Sequence, residues 1–426
     1  RETGPIEKTQ DAVALLHDDD GLRGELRALL DGVYDLERLS TRACLGRAMP
    51  KDLHALAGSL AALPGLRALL AGCDLSTAPE LQRLAAQWDD LEDLGDLLEG
   101  ALADTPPQVI TEGGIFRPGH DPRLDELIEL TEHGQATVQQ LLDEEREQSA
   151  IPKLKLGFNK VFGYYFEVSK AHKGQVPEHF VRRQTLVNSE RYITPRLKEL
   201  EDRLLGASEE RKTLEYELFQ ELRKTVARAR TRLMFMASAV AALDFWQGLA
   251  ETARTLGWTR PELHTGNAIG ISGGRHPVVE AFSQGNFVPN DLTLDDKRRI
   301  LLVTGPNMAG KSTVLRQTAI IVLLAQMGSF VPAKTARIGL ADRVFSRVGA
   351  SDNLAQGQST FMVEMTETAR ILRQATKKSL VILDEIGRGT STFDGLALAW
   401  AVVEELARRG DGGVRTLFAT HYHELT

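Results

Sequence analysis

ILLVTGPNMAGKST, residues 300–313, decides the fold. Ile300 to Val303 are consecutive apolar residues and predict a buried strand. Gly305-Pro306-Asn307-Met308-Ala309-Gly310-Lys311-Ser312 then satisfies G-x-x-x-x-G-K-[ST], and a helical pattern runs on to Met327 with Gly328 at its end. Strand, glycine-rich loop and helix in that order make a phosphate-binding loop, whereas the same residues out of that context would be an ordinary turn. The glycines let the backbone curl so that N–H groups and the helix N-terminus face an anion. Lys311 then reaches the β- and γ-phosphates, and Ser312 offers its hydroxyl to Mg²⁺.

Downstream, Leu380-Val381-Ile382-Leu383-Asp384-Glu385 reads as a second buried strand ending in two carboxylates. Beside a phosphate-binding loop, Asp384 suits the Mg²⁺ shell and Glu385 suits the base that orients and deprotonates an attacking water. Arg415 to Ala419 predict a third strand that delivers His421 toward the γ-phosphate. On its own, His421 reads more readily as a structural histidine; the setting beside the phosphate loop reverses that reading. Gln356-Gly357-Gln358-Ser359-Thr360 precede a helix predicted from Phe361 to about Ala375; Ser359 or Thr360 either caps it or closes over a nucleotide on a second subunit. From about Trp258, strands alternate with helices, which indicates an α/β domain with a largely parallel sheet.

Upstream the period changes. Residues 6–104 carry apolar positions at helical spacing, as in Leu22, Leu26, Leu29 and Leu30, punctuated by Pro50, Pro64-Gly65 and Pro79. Val109 to Phe116 predict a short hairpin or loop. Helix returns from Asp121 to Gln148. Between Lys153 and Glu190 the period falls to two: Tyr164, Phe166 and Val168 alternate with Tyr165, Glu167 and Ser169, a strand with one face buried. From Pro195 to about Gly257 helix resumes as one extended rod, expected to return antiparallel to the helix ending near Gln148. Two long helices would then carry a small β-rich insert at their far end.

Charge follows the same division. The chain has 426 residues, 51 Lys and Arg against 59 Asp and Glu, and a net charge of −8. Residues 1–150 hold 13 basic and 30 acidic side chains, whereas residues 151–200 hold 10 and 4. A basic island in an acidic chain is a candidate anion-binding surface, and a solvated face is the plainer alternative. The length allows several domains with cores of their own. Cys44 and Cys73 match no metal or redox spacing, which excludes structural zinc. No uninterrupted apolar run approaches the ~18 residues of a membrane span, and Arg1-Glu2-Thr3 do not open a secretory signal. A soluble cytoplasmic protein with no membrane partner is the expectation.

With these residues in hand, the chain resembles the MutS family of DNA mismatch-repair ATPases, within the ABC superfamily. The matching stretches are TGPNMAGKST (304–313), STFMVEMTETA (359–369), LDEIGRGTSTFDG (383–395) and ATHYHELT (419–426). GRHPVVE (274–280), GYYFEVS (163–169) and RRQTLVNSERYITPRLKELE (182–201) resemble it as well. The resemblance implies a helical core and lever (residues 1–148, returning over 207–258), a DNA clamp over 149–206, and an ATPase domain over 259–426. It also implies ATP and Mg²⁺ as cofactors, with nucleotide contacts along Gly305 to Thr313. Ser359 is assigned to the opposite subunit's γ-phosphate, and 387–394 to an inter-subunit loop. Phe287 would stack on adenine, although a core Phe fits as well.

The implied partners are duplex DNA held through its backbone, a second copy of the chain, and a downstream repair factor of the MutL type, in a bacterial cytoplasm. Lys153, Lys155, Lys160, Arg182 and Arg183, with Asn159 and Asn188, are the candidate DNA contacts; each reads equally as a solvated surface residue. The family's mismatch-reading domain, connector and C-terminal dimerisation segment are missing, so a fragment is expected. The family's recombination branch is the alternative, disfavoured by the basic insert. A transporter nucleotide-binding subunit would need LSGGQ where GQSTF stands.

Overall fold

Both faces of the strand at 380–384 must be covered, because every residue from Leu380 to Leu383 is apolar, and the architecture follows from meeting that demand. A computed structural model describes residues 2–159, 163–283, 287–306, 309–348, 360–387, 390–409 and 412–426. The helical first part comprises α1 (Thr3–Asp18), α2 (Asp20–Asp31), α3 (Leu36–Cys44), α4 (Pro50–Leu60), α5 (Leu63–Ala71), α6 (Pro79–Ala86), α7 (Glu92–Ala101) and α8 (Pro122–Ser149). Next come β1 (Lys155–Asn159), β2 (Gly163–Ser169), β3 (Val181–Thr185), β4 (Ser189–Ile193), α9 (Pro195–Arg228) and α10 (Arg230–Leu256). The last part runs β5 (Glu262–His264), β6 (Ile269–Gly274), α11 (Pro277–Phe282), β7 (Asn290–Leu294), β8 (Ile300–Val303), α12 (Lys311–Gln326) and β9 (Thr335–Gly339). It closes with β10 (Val344–Val348), α13 (Thr360–Gln374), β11 (Leu380–Asp384), α14 (Thr392–Arg408) and β12 (Arg415–Ala419).

Packing divides the chain into two compact units, one of residues 1–31, 65–88 and 239–426, the other of 32–64 and 89–238. In the first, β10-β11-β12-β8 form an all-parallel sheet and β5-β9-β6-β7 a mixed one. Alternate residues of β11 face opposite ways. Leu380 and Ile382 join a core with Leu315, Ile321 and Val322 of α12 and with Ile269, Ile271 and Ile338 of the mixed sheet. Val381 and Leu383 join a second core with Ile371 of α13 and Ala399, Val402 and Leu406 of α14. The helix that follows the phosphate-binding loop is thus buried in its own core, which fixes the loop at its N-terminus.

In the second unit α8 and α9 run antiparallel. Arg196 pairs with Glu144 at 2.9 Å, while Arg211 donates to Thr131 Oγ1 at 3.3 Å, so rising numbers on one helix meet falling numbers on the other. The antiparallel sheet β1-β2-β4-β3 sits at the end of this pair. Phe166, Val168, Phe180 and Tyr192 bury one sheet face against Val138, Leu141 and Leu142 of α8 and Leu197 of α9. The period-two reading therefore holds at Phe166 and Val168.

Several expectations need adjustment. Pro50 and Pro79 are the first residues of α4 and α6, and Pro64 lies in the first turn of α5; they start helices, because φ is preset there and no N–H is needed. The rod from Pro195 is interrupted at Ala229, whose N–H bonds to Val226 O in a tightened turn. Residues 110–112 form a 3₁₀ turn, closed by an isolated bridge between Leu102 and Phe116. Two helical stretches, 50–71 and 230–256, do reach the length and mean hydropathy (1.4 each) of a membrane span. Both contain charged residues, and both bury leucines in the protein, Leu53, Leu56 and Leu60 in one and Leu233 and Leu243 in the other.

Candidate functional site

Three parallel strand ends converge on the nucleotide site because β8, β12 and β11 are adjacent. The loop after β8 turns at Gly305 (φ 145°) and enters α12 through Gly310 (φ 87°), a left-handed conformation at which glycine is favoured. Lys311 is buried, and its Nζ donates to the carbonyls of Gly305 (2.7 Å) and Pro306 (2.8 Å), so the ammonium lies inside the curl of the loop. Ser312 Oγ donates to Asp384 Oδ1 at 3.0 Å across the gap between α12 and the end of β11. A hydroxyl and a carboxylate brought together beside a phosphate loop are hard oxygen donors of the kind Mg²⁺ takes, and they fit that ion. Arg316 Nη2 stands 4.0 Å from the other oxygen of Asp384.

Glu385 adopts φ 59°, unusual for a residue with a side chain, and its N–H donates to Ala419 O at 2.9 Å, which ties it to β12. Its carboxylate pairs with His421 Nε2. The residues assigned to base chemistry and to the γ-phosphate therefore touch each other. Thr313 is half-buried in the first turn of α12, whereas Pro306 and Ala309 are exposed on the loop. Phe287, half-buried, precedes β7. Asn307, Met308 and Ser359 lie outside the described residues.

On the β insert, Lys153, Lys155, Arg182, Arg183 and Asn188 are all exposed. Arg182 Nη1 lies 3.8 Å from Glu190 Oε1, a carboxylate that also takes Lys173 at 3.1 Å and the Tyr192 hydroxyl. Burial and that carboxylate push the Tyr192 hydroxyl up to about 12. The register of β3 against β4 shifts between Arg182 and Gln184, so Arg183 is the extra residue of a bulge, a feature that re-aims side chains. Asn159 is half-buried at the end of β1, and Lys160 lies outside the described residues. The aromatic run divides by strand face. Phe166 is core, Tyr165 lies under Arg191 at 4.3 Å, and Phe158 is exposed with its ring 5.0 Å from Tyr164. Phe162 is outside the described residues.

Sequence reasoning passed over Glu364 and Tyr422, which contact the loop after Glu385, and the buried Arg415. Their contacts are made across tens of residues or more; Glu364 and Tyr422 were signalled only by their place inside matching stretches, and Arg415 by nothing in the sequence.

Two family models match, MutS family domain IV over residues 119–210 and MutS domain V over 301–426. The DNA mismatch repair protein MutS of Nitratidesulfovibrio vulgaris (strain DP4) is 65% identical over 441 residues, covering 100% of this chain and 49% of its own length. Proteins of the same name from Symbiobacterium thermophilum and Salinibacter ruber are 53% and 51% identical, covering 95% and 100% of this chain. The chain spans about half the length of these curated relatives.

Proposed function

Given that the chain belongs to the MutS family of DNA mismatch-repair proteins, we propose that it is an ATPase core that binds and hydrolyses ATP and couples nucleotide state to a clamp on duplex DNA. The observation that carries this reading is the Ser312–Asp384 contact at 3.0 Å, directly beside the Glu385–His421 pair and at the mouth of the phosphate loop. In this reading Lys311 leaves the carbonyls of Gly305 and Pro306 for the β- and γ-phosphates. The backbone of Gly305 to Thr313, including Asn307, Met308 and Ala309, cradles the phosphates, and Phe287 packs on the base. Ser312 and Asp384 hold Mg²⁺, which offsets phosphate charge when bound. Glu385 takes the proton of the attacking water. His421 orients that carboxylate and exchanges it for the γ-phosphate when nucleotide enters. Ser359 completes the site of a second copy.

We assign residues 259–426 to the ATPase, 149–206 to the clamp, and 1–148 with 207–258 to the helical core and lever. Lys153, Lys155, Lys160, Arg182 and Arg183, with Asn159 and Asn188, meet DNA phosphates. A homodimer through the ATPase domains, a MutL-type partner and a bacterial cytoplasmic location belong to the same proposal. The test separates binding from chemistry. Lys311→Ala abolishes tight ATP binding, whereas Glu385→Gln keeps Mg·ATP bound and slows hydrolysis by about 10² to 10⁴, the worth of a positioned base. Equal loss of nucleotide affinity in both variants refutes the division of roles.

A further inference from the structure

Gly387 stands two residues beyond Glu385, and its peptide groups are held from three sides. Its N–H donates to the carboxylate of Glu364, a buried side chain of α13. Its carbonyl accepts from Tyr422 Oη at 3.3 Å, and Tyr422 is the neighbour of His421. The third side is the backbone of Gly395 in α14. A Cβ on Gly387 would lie 2.6 Å from Gly395 O, and one on Gly395 would lie 2.4 Å from Gly387 O and 2.3 Å from Tyr422 Oη. No side chain fits at either position without displacing backbone, and Gly387 is itself left-handed (φ 91°).

Glu385, just upstream, holds a left-handed backbone although it carries a side chain. Such a conformation persists only where the surroundings over-determine it. Ala419 fixes its N–H, but that bond alone leaves the chain beyond the residue free to turn. What fixes the far side is the grip on Gly387. We propose that Glu364 and Tyr422 are positioning residues for hydrolysis, which hold Glu385 in its left-handed conformation through the N–H and C=O of Gly387. This rests on the reading of Glu385 as the base. The grip makes the placement of the base depend on the position of α13. That helix begins at Thr360, immediately after Ser359, the residue assigned above to the other copy's nucleotide.

The chemistry predicts which parameter moves. Neither Glu364 nor Tyr422 is bonded to the described residues of the phosphate loop, so nucleotide affinity is expected to survive their loss. The base, misplaced by a fraction of an ångström, does not work as well. Glutamine at position 364 still offers a carbonyl oxygen to the Gly387 N–H, whereas alanine offers nothing.

The experiment measures steady-state ATP turnover and binding of a fluorescent ATP analogue for the purified chain and four variants. Glu364→Ala is expected to lower kcat by about 10- to 100-fold with the dissociation constant within about twofold of the parent. Tyr422→Phe, which removes one hydrogen bond, should lower kcat by about 3- to 10-fold, again without loss of affinity. Glu364→Gln should recover most of what alanine loses. Glu385→Gln calibrates the site. If it turns over ATP like the parent, the assignment of the base is wrong and the proposal falls with it. If Glu385→Gln is slow but Glu364→Ala and Tyr422→Phe both keep the parent kcat, the grip alone is refuted. Loss of affinity in parallel with kcat, or Glu364→Gln failing as badly as alanine, would make the contact purely architectural and also overturn the proposal.

Discussion

Arg182 and Arg183 are neighbours in sequence, yet they should contribute unequally to DNA binding. Arg182 lies 3.8 Å from Glu190, and that carboxylate holds Lys173 as well, so part of the Arg182 charge is already neutralised within the protein. Arg183 occupies the bulge of β3, exposed and with no ion pair among the described residues. A cation that meets a phosphate releases the counterions condensed there, and each such contact contributes about 0.9 to the slope of log K against log salt. Between 50 and 200 mM salt that slope is worth about 3.5-fold in affinity per contact. Arg183→Ala should therefore flatten the slope by about 0.9, and Arg182→Ala by less.

Fluorescence anisotropy of a labelled duplex titrated at four salt concentrations reads both quantities. The effect should be the same on matched and mismatched duplexes, because phosphates are alike in the two. Equal flattening by the two substitutions would refute the idea that Glu190 screens Arg182. No flattening by either would remove β3 from the DNA interface. A loss at Arg183 confined to one of the duplexes would mean that it reads base or shape.

Two further outcomes follow from buried polar groups. Arg415, almost fully buried at the start of β12, donates to the carbonyls of Ser379, Asn267, Gly339, Leu340 and Lys378 and so ties the parallel sheet to the mixed one. Burial pushes its guanidinium down to about 10, which leaves it charged at neutral pH. Arg415→Met should cost about 1 kcal/mol per orphaned carbonyl, about 5 kcal/mol in all, read from urea midpoints; a loss below about 1 kcal/mol would mean that the carbonyls find other donors. His276 caps α11 by accepting the Val279 N–H at Nδ1, and burial, with the charge of Arg316, holds it below its ordinary 6.5. The folded state therefore binds fewer protons than the unfolded one as pH falls through that window, so stability is present above the ordinary value and lost on acidification. His276→Asn keeps an acceptor that does not titrate, and it should flatten this part of the pH–stability profile; an unchanged profile would exclude His276 as the source.

What was legible in the sequence was whatever the backbone needs locally. A phosphate loop requires glycine where the chain turns left-handed, and Gly305 and Gly310 are the residues that do so. A strand covered on both faces must be apolar throughout, as 380–383 is, and a strand with one buried face must alternate, as Phe166 and Val168 do. Proline marked the helix boundaries, each time at the start of a helix, where its fixed φ is already helical and its missing N–H is not needed. The break at Ala229 left no trace, since Arg228-Ala229-Arg230 are all good helix formers.

The contacts around Gly387 were illegible for a different reason. Glu364 meets Gly387 across 23 residues and Tyr422 meets it across 35, so neither has a spacing that a local pattern can display. The stretches 359–369, 383–395 and 419–426 looked like separate motifs, each with its own task at the nucleotide. In the fold, one residue from each of the first and third closes on a single glycine of the second, and Gly395 of that second stretch presses on the same point. Local chemistry accounts for Lys311, Ser312, Asp384 and Glu385 in each motif. It leaves the glutamate of α13, the tyrosine after His421 and the glycine pair without a local task, and their meeting at Gly387, two residues beyond Glu385, accounts for all four at once.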